Sequence, residues 1–237
     1  MMNLNASPTP SQLSTTIARD FDRLCERFTN DDFLNNRGLA NEVGFYVYPY
    51  DASRELEVRQ RTAELIAEIN SSEPTAEING SKPVAEANGP ELAAKVNSPE
   101  PTGTHTPQSA CHIIERNLWQ VFLQICENKR ILNKIPSLEA KRGSDALLAR
   151  MQKIATPEVF ARTMDYEPHQ PGRDILLITG VGQVYPFVRA HAILENAQSV
   201  FEDIPVVLLY PGRFDGQHLH LFDRINDGNY YRAFNIL

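Results

Sequence analysis

The chain has 237 residues, 42% of them hydrophobic, with a formal net charge of −7, and this acidic balance argues against direct nucleic-acid binding. No apolar run approaches the ~20 residues that span a bilayer, and the amino terminus lacks the basic start and apolar stretch of a signal peptide. Its 3 widely spaced cysteines predict no disulfide framework, so a cytoplasmic protein without membrane contact is expected.

The first predicted elements are a helix, a strand and a second helix. Thr9, Pro10 and Gln12 form a helix-start pattern, and apolar residues then recur on one face of a helix over residues 9–28. An aromatic strand is expected over residues 43–48, where Pro49 ends it. Ser53 caps a helix that runs to about residue 67.

A nine-residue repeat of the form A-[EK]-x-N-[SG] follows, with copies starting at Ala67, Ala76, Ala85 and Ala94. The copies are rich in Pro, Gly, Asn and Glu and have almost no large apolar residues. They cannot bury enough surface to offset chain entropy, and they lack the glycine-aspartate pattern of calcium-binding nonapeptides. The prediction is a disordered insertion over residues 70–109, looped out of a single α/β domain of residues 1–237.

The middle of the chain alternates strand and helix patterns. A short strand is expected over residues 110–116, followed by a helix whose apolar stripe includes Leu118, Phe122 and Cys126. Further helical segments start near Ser144 and Thr156. Residues 166–173 contain two prolines and a glycine and predict a loop before the next strand.

The most informative stretch is residues 174–191, which read D-I-L-L-I-T-G-V-G-Q-V-Y-P-F-V-R-A-H. The apolar run 175–178 indicates a strand buried on both faces, as in a parallel sheet. Thr179, Gly180 and Gly182 break the run, and a helix with Pro186 in its first turn is expected next. In open α/β sheets, ligands and partners bind beyond the carboxyl end of such a strand.

A second buried strand is expected over residues 204–210, with a turn over 211–216 and a short strand that carries His218 and His220. Asp227-Gly228 is a hairpin signal before a closing aromatic strand over 230–236. The alternation of strands and helices predicts an α/β fold with a mainly parallel sheet flanked by helices. The architecture is Rossmann-like or P-loop-like without a phosphate-loop motif, and it ends in a C-terminal hairpin.

The sequence contains none of the following catalytic motifs. There is no G-x-x-x-x-G-K-[ST] string, and the Gly180–Gly182 pair does not extend to G-x-G-x-x-G. No third ligand joins His218 and His220, so no metal site is predicted. No nucleophile–base arrangement and no G-x-S-x-G string occur. We therefore predict no catalytic residue, no cofactor and no metal.

A binding surface is expected where the loops after the two buried strands meet, because the carboxyl ends of parallel strands share one edge of a sheet. Tyrosine and arginine, present here as Tyr185 and Arg189, are residue types that dominate protein interfaces. The predicted partner- or ligand-binding residues are Thr179, Gly180, Gly182, Tyr185, Pro186, Arg189, His191, Pro211, Gly212 and Asp215.

Several strings, in this order and spacing, resemble the BrxB family of the bacteriophage exclusion (BREX) defence systems. They are residues 36–42 (N-R-G-L-A-N-E), the T-G-V-G of 179–182 with Tyr185, Pro186, Arg189 and His191, the Y-P-G of 210–212, Asp215-Gly216, and the N-Y-Y-R-A-F of 229–234. The resemblance implies a small cytoplasmic assembly factor required alongside an ATPase, a methyltransferase and a phosphatase-like protein. The repeat insertion, His218 and His220 depart from the family pattern.

Two functions of different classes follow. The first is a non-enzymatic interaction protein of a phage-defence complex. The second is a nucleotide-binding enzyme or sensor that acts through the Gly180–Gly182 loop. A charged pocket around that loop would favour the nucleotide, and a flat apolar surface would favour the interaction protein.

Overall fold

The computed structural model of the protein describes residues 10–37, 44–71, 111–226 and 233–237. Its strands are β1 (Phe45–Tyr50), β2 (His112–Asn117), β3 (Asp174–Thr179), β4 (Val206–Phe214), β5 (Leu219–Leu221), β6 (Ile225–Asn226) and β7 (Phe234–Asn235). The order β2–β3–β4–β1–β7 forms a parallel sheet, and β5 and β6 extend it in antiparallel fashion from the end of β4.

Helices cover both faces of this sheet. One face packs against α1 (Pro10–Phe28), α2 (Asp31–Leu34) and α3 (Glu55–Ser71). The other packs against α4 (Leu118–Asn128), α5 (Ile135–Arg142), α6 (Ser144–Ile154), α7 (Pro157–Met164), α8 (Val181–Val184) and α9 (Ala190–Ala197). The predicted α/β class with a mainly parallel sheet is confirmed.

The strand β3 shows why its sequence reads as an apolar run. Ile175 and Leu177 belong to the core under α1 and α3, and Leu176 and Ile178 belong to the opposite core. All six residues of β3 are buried. A strand with helices on both faces needs apolar side chains in both directions, so the alternation typical of one-sided sheets disappears.

The chain connections open a space at the carboxyl edge of the sheet. α3 carries the chain from β1 to β2 across one face, while α4 to α7 lead from β2 back to β3 across the other. The loops after β1 and β3 therefore leave the sheet toward opposite faces, and β4 lies between these strands. This is the geometry of a topological switch point, where open α/β sheets bind ligands and partners.

The predicted end of the first strand was wrong. Pro49 lies inside β1 and is paired in register with Tyr210 of β4. Alternate residues of a strand direct their main-chain groups to the same side, so Pro49 and Val47 face the same way. The Val47 carbonyl accepts from the Ile236 N–H, on the side of β1 that faces β7 and not β4. Since β7 pairs only with Tyr46 and Val47, the missing N–H of Pro49 faces a side where no ladder bond is made.

The predicted single helix after the glycine turn was also wrong. α8 has only 4 residues, Tyr185 is extended with φ −66° and ψ 135°, and helical structure resumes at Ala190. Pro186 lies in the segment between the two helices and not in a first turn. Proline lacks the N–H that continues a helix, and it biases the preceding residue toward an extended conformation.

At the carboxyl terminus, the predicted hairpin turn at Asp227-Gly228 lies outside the described residues. The described strands on either side of it pair with different partners, β6 with β5 and β7 with β1 in parallel. The antiparallel hairpins that the structure describes are earlier, between β4 and β5 and between β5 and β6.

The free edge of β2 is closed by one side chain, Asn70. Its Oδ1 accepts from the Ile113 N–H at 2.8 Å, and its Nδ2 donates to the Ile113 carbonyl at 3.0 Å. These two bonds occupy main-chain groups that would otherwise offer an edge for strand pairing. Asn70 and Ser71, which the repeat prediction placed in the insertion, are the last residues of α3; residues 72–109 lie outside the described residues.

Replacing residues 72–107 with a short Gly/Ser linker should leave the fold intact. Asn70 and Ile113 already join the two flanking elements, so a few residues suffice to connect them. Loop-closure entropy changes slowly with length, so the free energy of unfolding should change by only about 1 kcal/mol. Asn70→Ala in the full-length chain is the comparison and should destabilise by about 2 kcal/mol, because two bonds are lost. A larger loss on linker replacement than on Asn70→Ala, measured by thermal unfolding, would show that the repeats pack.

Candidate binding site at the carboxyl edge of the sheet

The loop after β3 meets β4 and the turn after β5 at the carboxyl edge, because β4 continues to Phe214 through the turn that was predicted over residues 211–216. A Cβ added to Gly182 would lie 3.0 Å from the Phe222 ring and 3.3 Å from Cγ of Pro211. The absence of a side chain at Gly182 therefore lets α8 approach the start of the hairpin closely. Of the predicted site residues, Gly182 and Pro211 are brought into direct proximity.

Thr179 and Gly180 belong to a hydrogen-bonded network with the end of β2. The Thr179 hydroxyl donates to Glu115 Oε1 at 2.6 Å and accepts from Asn117 Nδ2 at 3.2 Å. Gly180 is left-handed at φ 76°, and a Cβ there would meet the Asn117 side chain at 2.8 Å. Asn117 is itself fixed, because its Oδ1 caps α4 by accepting from the Trp119 and Gln120 N–H groups.

Tyr185 and Arg189 lie together on the segment between α8 and α9. The Arg189 guanidinium is 5.1 Å from the centroid of the Tyr185 ring, a cation–π distance. Arg189 is exposed and Tyr185 is half-buried. His191 is in the first turn of α9, directly after this pair.

Aromatic packing fixes this segment from below. The Phe187 ring stacks on Phe122 with centroids 4.4 Å apart and lies 6.2 Å from the Trp119 ring. The exposed Pro186 is held by its carbonyl, which accepts from Gln152 Nε2 at 3.0 Å. The segment is therefore attached to both α4 and α6, and it presents tyrosine and arginine on a supported surface.

Asp215 belongs to a separate cluster on the β4–β5 hairpin. Its Oδ1 accepts from the Gln217 N–H at 2.9 Å and the His218 N–H at 2.7 Å, while its Oδ2 is 3.4 Å from His220 Nε2. The two backbone donors are the main reason that the pKa of Asp215 is lowered to about 2. Asp215 thus organises the hairpin turn, and within the described part of the chain no group of three His, Cys, Asp or Glu residues is arranged to hold a metal ion.

A polar recess of about 210 Å³ opens between α3 and the carboxyl ends of the strands. We call it the α3 recess; its polar lining is Tyr50, Glu55, Arg59, Thr62, Glu115, Asn117 and Thr179. The Tyr50 hydroxyl donates to Glu55, and burial followed by this bond raises the pKa of Tyr50 above its ordinary value. Two carboxylates face one guanidinium, so the recess is charged and its balance is negative.

A larger recess of about 850 Å³ lies at the opposite, amino edge, far from the predicted site residues. Here the His169 imidazole lies between two carboxylates, 3.2 Å from Asp165 Oδ1 and 2.9 Å from Asp203 Oδ1. The same ring stacks on Phe201. The cluster joins the loops that precede β3 and β4, which gives it a structural role.

Sequence reasoning missed Glu115 and Asn117 as site residues. The expected strand ended at Arg116, one residue before Asn117, and an asparagine directly before an apolar helical stripe is a capping signal. Combined with the predicted strand, this capping signal could have placed Asn117 at the carboxyl end of a parallel strand. No local pattern indicates that Glu115 meets Thr179, because this contact depends on β2 and β3 being neighbours.

These features define an α/β protein with a mainly parallel sheet flanked by helices, whose carboxyl edge carries a supported aromatic–arginine surface and an acidic recess. A sequence model of the family described as "BREX protein BrxB" matches residues 114–236. The chain is 31% identical over 219 residues to a "BREX protein BrxB" of Bacillus cereus (strain H3081.97), which covers 91% of this chain and 95% of the relative. The chain belongs to the BrxB family.

A second relative extends the likeness. A "BREX protein BrxB" of Escherichia coli O9:H4 (strain HS) is 23% identical over 211 residues, covering 89% of this chain and 86% of that protein. No solved structure matches the chain. Among the helices that the structure describes, none is long and apolar enough to cross a membrane.

Proposed function

We propose that the protein is a non-enzymatic assembly component of a BREX-type phage-defence complex. BrxB is a BREX component, which supports the defence role. The proposed partners are the ATPase, the methyltransferase and the phosphatase-like protein that the family resemblance implies, and the proposed place of action is the cytoplasm. Assembly requires a surface that is displayed and rigid.

The observation that carries this proposal is the Tyr185–Arg189 pair. Tyrosine and arginine are enriched among the few residues that supply most of the binding energy at protein interfaces. Here the arginine covers the tyrosine ring at 5.1 Å, and Phe187 on Phe122 holds the intervening segment. Such a surface binds without a large loss of conformational entropy, because its side chains are ordered before the partner arrives.

The alternative function, nucleotide binding, would use the charged α3 recess beside Gly180. The net charge of this recess is negative, so it repels the phosphates of a nucleotide. The Glu115 carboxylate accepts a hydrogen bond from the Thr179 hydroxyl, directly before the loop. The Asn117 side chain occupies the space that a Cβ of residue 180 would need. A phosphate approaching to ~4 Å of a carboxylate meets a repulsion of about 4 kcal/mol at an effective dielectric of 20. α8, with 4 residues, also offers little helix to attract an anion.

Arg189→Glu and Tyr185→Ala should each weaken capture of the defence partners about 30-fold, the equivalent of ~2 kcal/mol for an interface hot spot. The measurement is affinity capture of each partner by the full-length protein. Thermal unfolding of both variants establishes that the fold is retained. Isolated wild-type protein should show no ATP turnover or nuclease activity.

Arg27→Glu is the matched control. Arg27 also covers an aromatic ring, with its guanidinium 5.5 Å from the Phe33 centroid, but it belongs to α1 on the opposite face of the sheet. Capture by this variant should equal that of wild type. Unchanged capture by Arg189→Glu would move the interface elsewhere, and ATP hydrolysis that Arg189→Glu abolishes would favour the enzyme.

A further inference from the structure

The α3 recess is chemically distinct from the aromatic–arginine surface beside it. Thr179 and Tyr50, only 7% and 8% exposed, hold the Glu115 and Glu55 carboxylates in place through their hydroxyls. We propose that the recess receives a single arginine side chain from a partner protein. This inference rests on the assembly role proposed above and identifies a second contact of the same edge.

The charge balance of the recess favours a cation. Arg59 acts on the Tyr50–Glu55 end, where its positive charge opposes the rise of the Tyr50 pKa. At the other end, Glu115 accepts the Thr179 hydroxyl, and the described residues supply no ion-pair partner for it. Arg59, on α3, lines the same recess, but the contacts of the described residues include no ion pair between Arg59 and Glu115. One carboxylate is therefore left to attract an incoming positive group.

The size of the recess favours a side chain over a metabolite. Its volume of about 210 Å³ is below the roughly 300–1,000 Å³ of typical small-molecule sites. Val58, Ala63 and Leu209 provide an apolar wall for the methylene stem.

The hydrogen-bonding groups favour guanidinium over ammonium. A carboxylate offers about four acceptor positions, and Thr179 occupies only one of those on Glu115. Guanidinium brings five N–H donors in a planar fork that matches carboxylates. The fixed orientation of Glu115, set by a 2.6 Å bond to a buried hydroxyl, suits such directional pairing.

The test uses N-acetyl-arginine methylamide as the probe and the ¹⁵N-labelled full-length protein. The probe should shift the amide signals of Thr179 and Asn117, and the neutral N-acetyl-glutamine methylamide should not. Glu115→Gln keeps an acceptor for the Thr179 hydroxyl but removes the charge, so it should weaken probe binding at least tenfold. Glu127→Gln, an exposed glutamate on α4, should leave binding unchanged.

Partner capture by the same variants completes the test. Glu115→Gln should lower capture of one defence partner at least tenfold, and Glu127→Gln should not. The inference is overturned by any of three results: the probe leaves the Thr179 and Asn117 signals unshifted, Glu115→Gln binds the probe like wild type, or Glu115→Gln loses probe binding without a change in partner capture. Failure of the assembly role itself is read separately, from wild-type protein that captures no partner.

Discussion

Gly212→Val should lower the free energy of unfolding by about 3 kcal/mol or more, which combines a strained φ angle of ~1–2 kcal/mol with overpacking of ~1–3 kcal/mol. Gly212 has φ 149° and pairs with Leu221 in the β4–β5 ladder. A Cβ there would lie 2.1 Å from the His220 carbonyl oxygen and 2.9 Å from the Phe222 N. Both atoms are backbone, so no side-chain rotation relieves the clash.

The damage should reach the binding site because the hairpin supports it. Phe222 directly follows β5, and its ring packs against Gly182 of α8. Displacement of β5 would therefore remove a packing contact that supports α8. Chemical denaturation measures the stability, and partner capture should fall with it. Gly216→Ala is the control, since Gly216 has φ 91° but nothing within 4 Å of an added Cβ, and it should lose only about 1 kcal/mol. Equal losses for the two variants would show that φ strain alone matters at Gly212.

The buried parallel strands could be predicted because their sequences have one explanation. The run 175–178 is apolar in both directions and is too short for a buried helix, and β3 follows from it. The boundaries failed where tertiary context decided them. Pro49 is accepted inside β1 because its nitrogen faces the β7 side of the strand, beyond the residues that pair with β7. No local sequence pattern reveals which side of the strand this nitrogen faces.

The sequence predicted only those contacts of the site that follow from where the buried strands end. Gly182 follows β3 and Pro211 lies in the carboxyl-terminal half of β4, so their proximity follows from the parallel pairing of these two neighbouring strands. The Glu115–Thr179 bond depends instead on β2 lying next to β3, because its partners are 64 positions apart in the sequence. The break between α8 and α9 had a local signal in Pro186, which was interpreted as a helix start because proline is also favoured there.

Asp174→Ala should be nearly as destabilising as the hairpin clash, with a loss of about 3 kcal/mol. Asp174 begins β3 and is 2% exposed. Its Oδ2 accepts from the Gln170 N–H at 3.0 Å and the Tyr166 hydroxyl at 3.2 Å, and its Oδ1 is 3.5 Å from His112 Nδ1. Alanine would leave these donors without their acceptor in a site with little access to water.

Two further variants separate the charge of Asp174 from its hydrogen bonds. Asp174→Asn keeps one acceptor oxygen for Gln170 and Tyr166, so it should lose only about 1 kcal/mol. Asp203→Ala removes a carboxylate that is 45% exposed and contacts His169, and it should lose at most about 1 kcal/mol. For a chain of this size, 3 kcal/mol corresponds to a midpoint lower by roughly 6–12 °C in thermal unfolding. If Asp174→Ala unfolds with the midpoint of Asp203→Ala, the carboxylate does not hold the loop of residues 165–173 to the sheet. A drop in Asp174→Asn equal to that in Asp174→Ala would instead assign the effect to the charge beside His112.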